Sequence, residues 1–179
     1  MRSFVFSTLL LSMLGAAPAA AQLASYGVLG TPCTGGRLDP GAGPVPLIPI
    51  GLPQLGSVFQ IETESSGRGL TGLGRQVFLF TGLSDTSFGG IPLPLDLSIL
   101  FPTANVCGSL LCSVELEQRV PSTGNPAINA RLSFPIPRDP SLRGLLFFQQ
   151  VLSLESSTFG PPPYLGVAVS ALGIGVIGT

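Results

Sequence analysis

Histidine, lysine and tryptophan are all missing from this chain of 179 residues. Without histidine, the Ser-His-Asp and Cys-His forms of nucleophilic catalysis are excluded. A zinc site is disfavoured as well, because one Cys-x4-Cys pair and a remote third cysteine make a poor zinc pattern. No phosphate-binding loop with lysine and no calcium loop of alternating aspartates is present. The sequence therefore predicts no enzyme, no metal site and no cofactor.

Charge is also scarce, since only 9% of residues are charged, against roughly 25% in typical chains. All eight basic residues are arginine, and they are scattered among nine acids. The chain lacks both a basic stripe and an acidic tail, so nucleic acid is not expected as a partner. A surface that depends so little on charge for its solubility favours an extracellular or assembled protein.

Paired carboxylates are the one catalytic device that the composition leaves open, for glycoside hydrolysis. Two pairs occur at i, i+2 on predicted strands: Glu62 with Glu64, and Glu115 with Glu117. Because surface positions are the rule for charged side chains, we expect solvated strand faces here, with Arg119 and Arg131 as cross-strand partners. A glycosidase also usually needs aromatic platforms, and this chain has only two tyrosines.

The first 21 residues read as a cleaved signal peptide. Met1 and Arg2 give a positive start, 4–14 is apolar apart from small hydroxyl residues, and three alanines at 19–21 supply a small-x-small cleavage site. An apolar run of about eleven residues is too short to span a bilayer, which needs about twenty. We expect a mature chain, 22–179, that is secreted, periplasmic or on the cell surface, without a transmembrane segment.

Three cysteines permit one internal disulfide and leave one thiol over. An exported protein is expected to form a disulfide rather than a metal site. Cys33–Cys107 is favoured, and Cys33–Cys112 stays open as the alternative. Cys107 and Cys112 are five positions apart, about 16 Å along an extended strand and well beyond disulfide reach. A turn at Gly108-Ser109 would bring them together, so this pairing stays possible but is not the favoured one. Cys112 lies in an apolar run, where a buried free thiol acts as a small hydrophobe.

The mature chain shows short runs of period two, bounded by its many glycines and prolines, and no sustained helical period. In the run 110–120, Val114 and Leu116 are expected to face inward. The spacing predicts an all-β domain of seven or eight strands, a two-sheet antiparallel β-sandwich of Ig-like or jelly-roll-like type, with a small closed barrel as the competing architecture. The predicted strands are 58–64, 76–81, 96–100, 110–120, 127–136, 144–154, 165–172 and 174–177.

Two proline-rich stretches carry separate predictions. Residues 42–54 contain four prolines, which remove ladder donors, so this stretch is expected to be an extended arm or edge segment. Around 134–150, two prolines end one strand and a turn at 138–141 leads into the next, as a proline-gated hairpin. Gln149 or Gln150 must then point inward, where a glutamine needs partners at both ends of its amide. Gln149 is therefore a candidate structural or ligand-binding polar residue.

At these residues the chain resembles a family of secreted bacterial β-sandwich proteins of uncharacterised function. The resemblance covers most of the mature chain and rests on the order of several elements. They are Tyr26-Gly27 with Gly30-Thr31-Pro32-Cys33, then Phe80-Thr81-Gly82-Leu83-Ser84, Leu93-Pro94-Leu95-Asp96-Leu97, Cys107 followed by Leu110-Leu111, and Pro137-Arg138-Asp139-Pro140-Ser141-Leu142-Arg143-Gly144 before Gln149.

Two positions depart from the family pattern. Val106 stands where the family usually has glycine, and Cys112 is an extra cysteine, which leaves the pairing open. The resemblance implies export, a sandwich and one disulfide, and it brings no catalytic residues.

Two functions fit these observations. The first is a non-catalytic structural or interaction module of the cell envelope or extracellular space, whose partners would be envelope or matrix proteins or further copies of itself. The alternative is a ligand-binding module, such as a carbohydrate binder, that uses the loops 81–94 or 121–126. A binding module should present a concave aromatic or polar cluster at the loop end, whereas a structural one should present flat faces or exposed strand edges.

Overall fold

The computed structural model describes residues 22–38, 42–68, 73–122, 129–157 and 164–179. The predicted signal peptide, 1–21, lies outside them, as does part of the predicted binding loop 121–126. The described part of the chain is all-β, as predicted, and contains two short 3-10 helices, at Leu97–Ile99 and Pro140–Leu142. Among the described residues no helix is long and apolar enough to cross a bilayer.

Fifteen strands are numbered here in chain order. They are β1 Ser25–Leu29, β2 Ile48–Ile50, β3 Val58–Glu64, β4 Gly67–Arg68, β5 Gly74–Gly82, β6 Ser87–Phe88, β7 Ile91–Pro92, β8 Leu95–Asp96, β9 Asn105–Cys107, β10 Ser109–Leu110, β11 Leu116–Arg119, β12 Asn129–Pro135, β13 Leu146–Ser156, β14 Leu165–Val169 and β15 Leu172–Val176.

The long strand β13 is the centre of an eight-stranded sheet. On one side it pairs antiparallel with β5. On the other it pairs with β15 and then with β14, which are separated by a bulge at Ser170 and Ala171. The outer positions are taken by β11 and β4 beside β5, by β1 beside β15, and by β9, which runs parallel to β14.

A second sheet has three strands in the order β12-β3-β2. β3 and β12 pair from Val58 opposite Pro135 to Glu64 opposite Asn129. β2 is an edge strand that contains Pro49, and an edge is where a proline costs no ladder bond. The proline-rich stretch 42–54 therefore supplies an edge segment, as predicted, and it buries Val45 in the core.

The large sheet is covered on both faces. In β5, Val77 and Leu79 belong to a buried cluster that also contains Phe59 and Leu132 from the small sheet. Phe78 and Phe80 alternate with them and pack against a second cluster, formed under the covering segment 84–114. β5 is therefore a central strand with two apolar faces, as predicted. The strand of greatest functional interest, β13, is covered in the same way.

Several predicted strands are wrong in their bounds or type. The predicted strand 110–120 is broken into β10 and β11, because the chain turns at Cys112 and Ser113 to cross the end of β5. The predicted strand 96–100 is mostly a 3-10 helix, in which the Asp96 carboxylate accepts a hydrogen bond from Ser98 N–H at 2.8 Å. Leu116 was expected to face inward, but β11 is an outer strand and this side chain is exposed.

The predicted hairpin at 134–150 is also wrong. β12 pairs with β3 in the small sheet, whereas β13 pairs with β5 in the large one, so the segment between them crosses from one sheet to the other. Its turn chemistry is as predicted, since the Asp139 carboxylate accepts a hydrogen bond from Ser141 N–H at 2.9 Å. This crossover forms one wall of the cleft described next.

Candidate functional site

A cleft of about 240 Å³ opens where β12 ends and β13 begins. The crossover segment contributes Ile136, Leu142 and Leu145 to its wall, and the end of β5 contributes Thr81 and Leu83. Phenylalanine rings from β3, β12 and β13 complete the lining, with Gln149 at the bottom. We call it the Gln149 cleft. It is almost entirely apolar, and its few polar atoms are concentrated at Gln149 and Thr81.

Gln149 is fully buried, and both ends of its amide have partners. Its Oε1 accepts a hydrogen bond from the Tyr26 hydroxyl at 2.9 Å, and its Nε2 donates to Thr81 Oγ1 at 3.0 Å. The sequence predicted that Gln149 or Gln150 points inward with partners at both ends of its amide, and Gln149 has them in these two side chains. A primary amide has two N–H donors and two carbonyl lone pairs, so these bonds use half of its capacity.

Four aromatic rings pack together at the cleft, and one of them, Tyr26, bonds to the amide. Tyr26 lies 4.9 Å from Phe59 and 6.1 Å from Phe147, measured between ring centroids, and Phe59 lies 6.4 Å from Phe134. These residues come from four strands in two sheets, so no local pattern indicates that they meet. The sequence indicates Tyr26 as a partner of Gln149 only indirectly. A glutamine in an apolar strand requires polar partners, and the chain has just two tyrosines.

Buried titratable groups near the cleft are held neutral. Burial, and then the nearby Cys112, raise the pKa of Tyr26 above its ordinary range, so the hydroxyl remains a hydrogen-bond donor to Gln149. Burial, and then the charge of Glu115, raise the pKa of Cys112 to about 12. A thiol with that pKa is protonated at neutral pH and is a poor nucleophile. Cys112 is thus part of the packing, as the sequence predicted.

The next residue, Gln150, points to the opposite face of the sheet. Its Oε1 accepts from Leu111 N–H at 2.9 Å, and its Nε2 donates to the carbonyls of Ser109 and Ser170, at 3.0 and 3.1 Å. All three of these partners are backbone groups. It ties the β14–β15 bulge to the covering segment, so Gln150 is a structural residue.

The disulfide joins Cys33 to Cys107, the favoured pairing. Cys33 follows β1 and Cys107 ends β9, so the bond connects the two strands that flank β15 and β14 on the same side. A second cleft, of about 310 Å³, lies beside it and contains hydroxyls of Thr31, Ser109 and Ser170. The hydrogen bonds of Gln150 and Ser170 there go to backbone groups of the protein.

Near the end of β13 that lies away from the Gln149 cleft, two arginines and two glutamates form a buried ion cluster. Glu155 receives Arg37 Nε at 2.7 Å and Arg75 at 2.8 Å, and its second oxygen accepts Leu38 N–H at 2.7 Å. Glu64 receives Arg37 at 2.9 Å and Arg75 at 3.6 Å. The sequence placed Glu64 on a solvated face, which is wrong, because β3 ends between the sheets and the arginines neutralise its charge.

Opposing effects act on Glu155. Burial acts to raise the pKa of its carboxyl. The charges of Arg37 and Arg75 and the hydrogen bonds from Arg37 and Leu38 lower the pKa by more than burial raises it, so the pKa lies below the ordinary value of 4.5. The carboxylate is therefore ionised at neutral pH. It lies six residues from Gln149 along β13, about 20 Å away, and takes no part in the cleft.

The remaining predicted carboxylates have ordinary surface roles. Glu62 pairs with Arg131 at 2.9 Å across β3 and β12, as predicted. Arg119 instead lies opposite Phe78 of β5, so its predicted pairing with a glutamate is wrong. Glu115 is exposed and accepts the Ser113 hydroxyl at 2.7 Å. Across the described ranges, no group of three or more Cys, Asp or Glu side chains is arranged to hold a metal ion.

Comparison with known proteins adds no relative. No protein-family model, no curated protein and no solved structure matches this chain. The resemblance to secreted bacterial β-sandwich proteins therefore stays a prediction, and function is argued from the geometry of the site.

Proposed function

We propose that this chain is an exported, non-catalytic ligand-binding module, and that the Gln149 cleft takes a small apolar ligand that carries one polar group. The observation that supports this most is the fully buried Gln149 amide at the bottom of an apolar cleft. It retains one N–H and one carbonyl lone pair beyond its bonds to Tyr26 and Thr81. An apolar cleft with a few polar groups that fix orientation is the usual form of a small-molecule site.

The size of the cleft limits the ligand. A closed cavity of about 150 Å³ lined by Leu, Ile and Phe binds benzene. At about 240 Å³, the Gln149 cleft suits a single substituted ring or a short branched acyl chain. The amide is fully buried as the cleft stands, so a hydroxyl or carbonyl of the ligand would bond to it only when neighbouring side chains move aside. Sugars fit poorly, because their many hydroxyls would face apolar walls without hydrogen bonds.

The wider setting is part of the same proposal. The buried cluster that the large and small sheets share supports a β-sandwich of these two sheets, and the predominantly antiparallel pairing agrees with it. The disulfide supports export to an oxidising compartment. The sequence favoured a structural or interaction module over a ligand-binding module. We propose ligand binding instead because the structure has a concave cleft.

Binding is tested by saturation-transfer NMR on the oxidised protein, with a panel of alkylphenols, alkylbenzenes, branched acyl amides and monosaccharides. We expect phenols or amides to bind more tightly than alkylbenzenes of equal size, and sugars not to bind. Leu83→Arg places a long cation at the rim, where this leucine is 57% exposed. It should weaken binding at least tenfold, which corresponds to about 1.4 kcal/mol.

Ile99→Arg is the matched control. Ile99 is 68% exposed and lies in the 3-10 helix of the covering segment, on the other side of the large sheet. This variant should bind as the unmodified protein does. Failure of every apolar ligand to bind, or equal binding by the Leu83→Arg and unmodified proteins, would refute the proposal.

A further inference from the structure

The open strand edges of this protein are not alike. β2 contains Pro49, β11 contains charged Glu117 and Arg119, and β12 contains Arg131 and ends in a proline. Prolines and charges are the devices that keep natural sheet edges from pairing with other chains. β1, with the sequence SYGVL, and the short outer strand β9, with the sequence NVC, have neither. β9 has only three residues and is tied to Cys33 through Cys107, whereas β1 has five residues and the first charged residue after Gln22 is Arg37.

β1 is also exposed and firmly held. Within the described part of the chain it pairs only with β15, and Val28 and Leu29 are 41% and 57% exposed. Tyr26 anchors it through its ring contacts and its bond to Gln149, and the disulfide at Cys33 holds the segment that follows. An edge that is already ordered loses little conformational entropy when another strand binds to it.

We propose that β1 is a self-association edge, at which two copies of this chain pair antiparallel around a twofold axis through Gly27. Gly27 is the middle residue, so this register alone pairs all five residues of the strand: Tyr26 lies opposite Val28 of the other copy, and Ser25 lies opposite Leu29. An extra Cβ at Gly27 would meet nothing within 4 Å in the single chain, so the position on the axis is open.

Charge supports a second copy as the occupant. No like charges meet in this register, and the net charge of the chain is only −1, so two copies repel each other little. Exposed Val28 would gain an aromatic cross-strand neighbour, a favourable pairing. A five-residue edge is a small contact, below the roughly 1,200 Å² of stable interfaces, so a weak, concentration-dependent dimer is expected.

Sedimentation equilibrium over micromolar to millimolar protein gives the first test. The average mass of the oxidised protein should rise toward that of two chains. Val28→Lys adds the charge that other edges already have and should weaken the dimer at least about tenfold. Val58→Lys makes the same change at a 58% exposed position on β3 and should leave the dimer unchanged.

Cysteine crosslinking tests the register. In the proposed dimer the two Gly27 Cα atoms lie about 4.5–5.5 Å apart, within disulfide range, so Gly27→Cys should give a covalent dimer under mild oxidation. The Ser25→Cys positions would lie about 14 Å apart, four residues out of register, and should stay monomeric. Cys112 is fully buried and does not compete.

Three results would overturn the proposal. These are a protein that stays monomeric at millimolar concentration, a dimer that survives Val28→Lys, and equal crosslinking by the two cysteine variants. A dimer that is lost in Val58→Lys but kept in Val28→Lys would assign the contact to the small sheet and reject β1. None of these outcomes depends on whether the Gln149 cleft binds a ligand.

Discussion

Glu155→Gln should be among the most destabilising single substitutions in this protein. The change keeps the shape of the side chain but removes the negative charge that faces Arg37 and Arg75. Their side chains are only 4% and 7% exposed, so neither guanidinium is free to turn toward water. Removing one partner of a buried ion pair typically costs about 3–5 kcal/mol. For a domain of this size that lowers the Tm by about 6 to 20 °C.

The measurement is urea unfolding of the oxidised protein between pH 3 and pH 7. A carboxyl whose pKa is lowered by folding stabilises the protein above its unfolded value, and this contribution is lost as the pH falls through the folded value. The unmodified protein should therefore lose stability as the pH falls below about 4.5, the ordinary value for Glu155. The Glu155→Gln protein lacks that contribution, so its stability should depend less on pH in this range.

Two other glutamates serve as graded controls. Glu64→Gln should be milder than Glu155→Gln, because one Glu64 oxygen has no hydrogen-bond partner among the described residues and its contact with Arg75 is long. Glu62→Gln removes a surface pair, in which the Arg131 side chain is 61% exposed, and should change little. If Glu155→Gln and Glu62→Gln unfold at the same urea concentration, the buried cluster does not stabilise the fold as argued.

Three further predictions follow from the core. Gln149→Leu should cost about 1–3 kcal/mol in urea unfolding, because two hydroxyl partners lose their bonds; unchanged stability would contradict the hydrogen-bond network. Replacing Cys33 and Cys107 by serine should lower the free energy of unfolding by about 4.5 kcal/mol, the chain-entropy value for a separation of 74 residues. A decrease below about 1 kcal/mol would contradict this estimate. Cys112 should react with iodoacetamide only after unfolding, because it is buried and its pKa is about 12. The intact mass reports the added label, and rapid labelling of the folded protein would refute this prediction.

The sequence predicted those features that depend on near neighbours. Alternation identified β3, β5 and β12 closely, and prolines identified the edge segment around β2. The turn at Asp139 follows from its side-chain chemistry. Gln149 was singled out because an amide in an apolar strand must be paired, and that argument needs no knowledge of its partners.

Features that depend on how the sheets meet were missed. The ring of Tyr26 reaches Phe59 only because β1 and β3 belong to different sheets that pack together. Glu64 fits the solvated face of β3 by period two, yet the strand ends against Arg37, which comes from a glycine-rich loop. The crossover after β12 looks like a hairpin in sequence, because proline and turn signals do not state which sheet the next strand joins.

The disulfide also decides how this protein carries tension. A pull applied through β1 passes at Cys33 directly to Cys107, so the covalent path of the chain bypasses residues 34–106 while the bond is intact. β3 and β5, which supply two walls of the Gln149 cleft, lie within that bypassed loop. Stretching the oxidised protein to full length should therefore give a contour shorter by roughly 250 Å than that of the reduced protein. When a copy is pulled through its β1 edge, β3 and β5 would therefore lie outside the covalent path of the force.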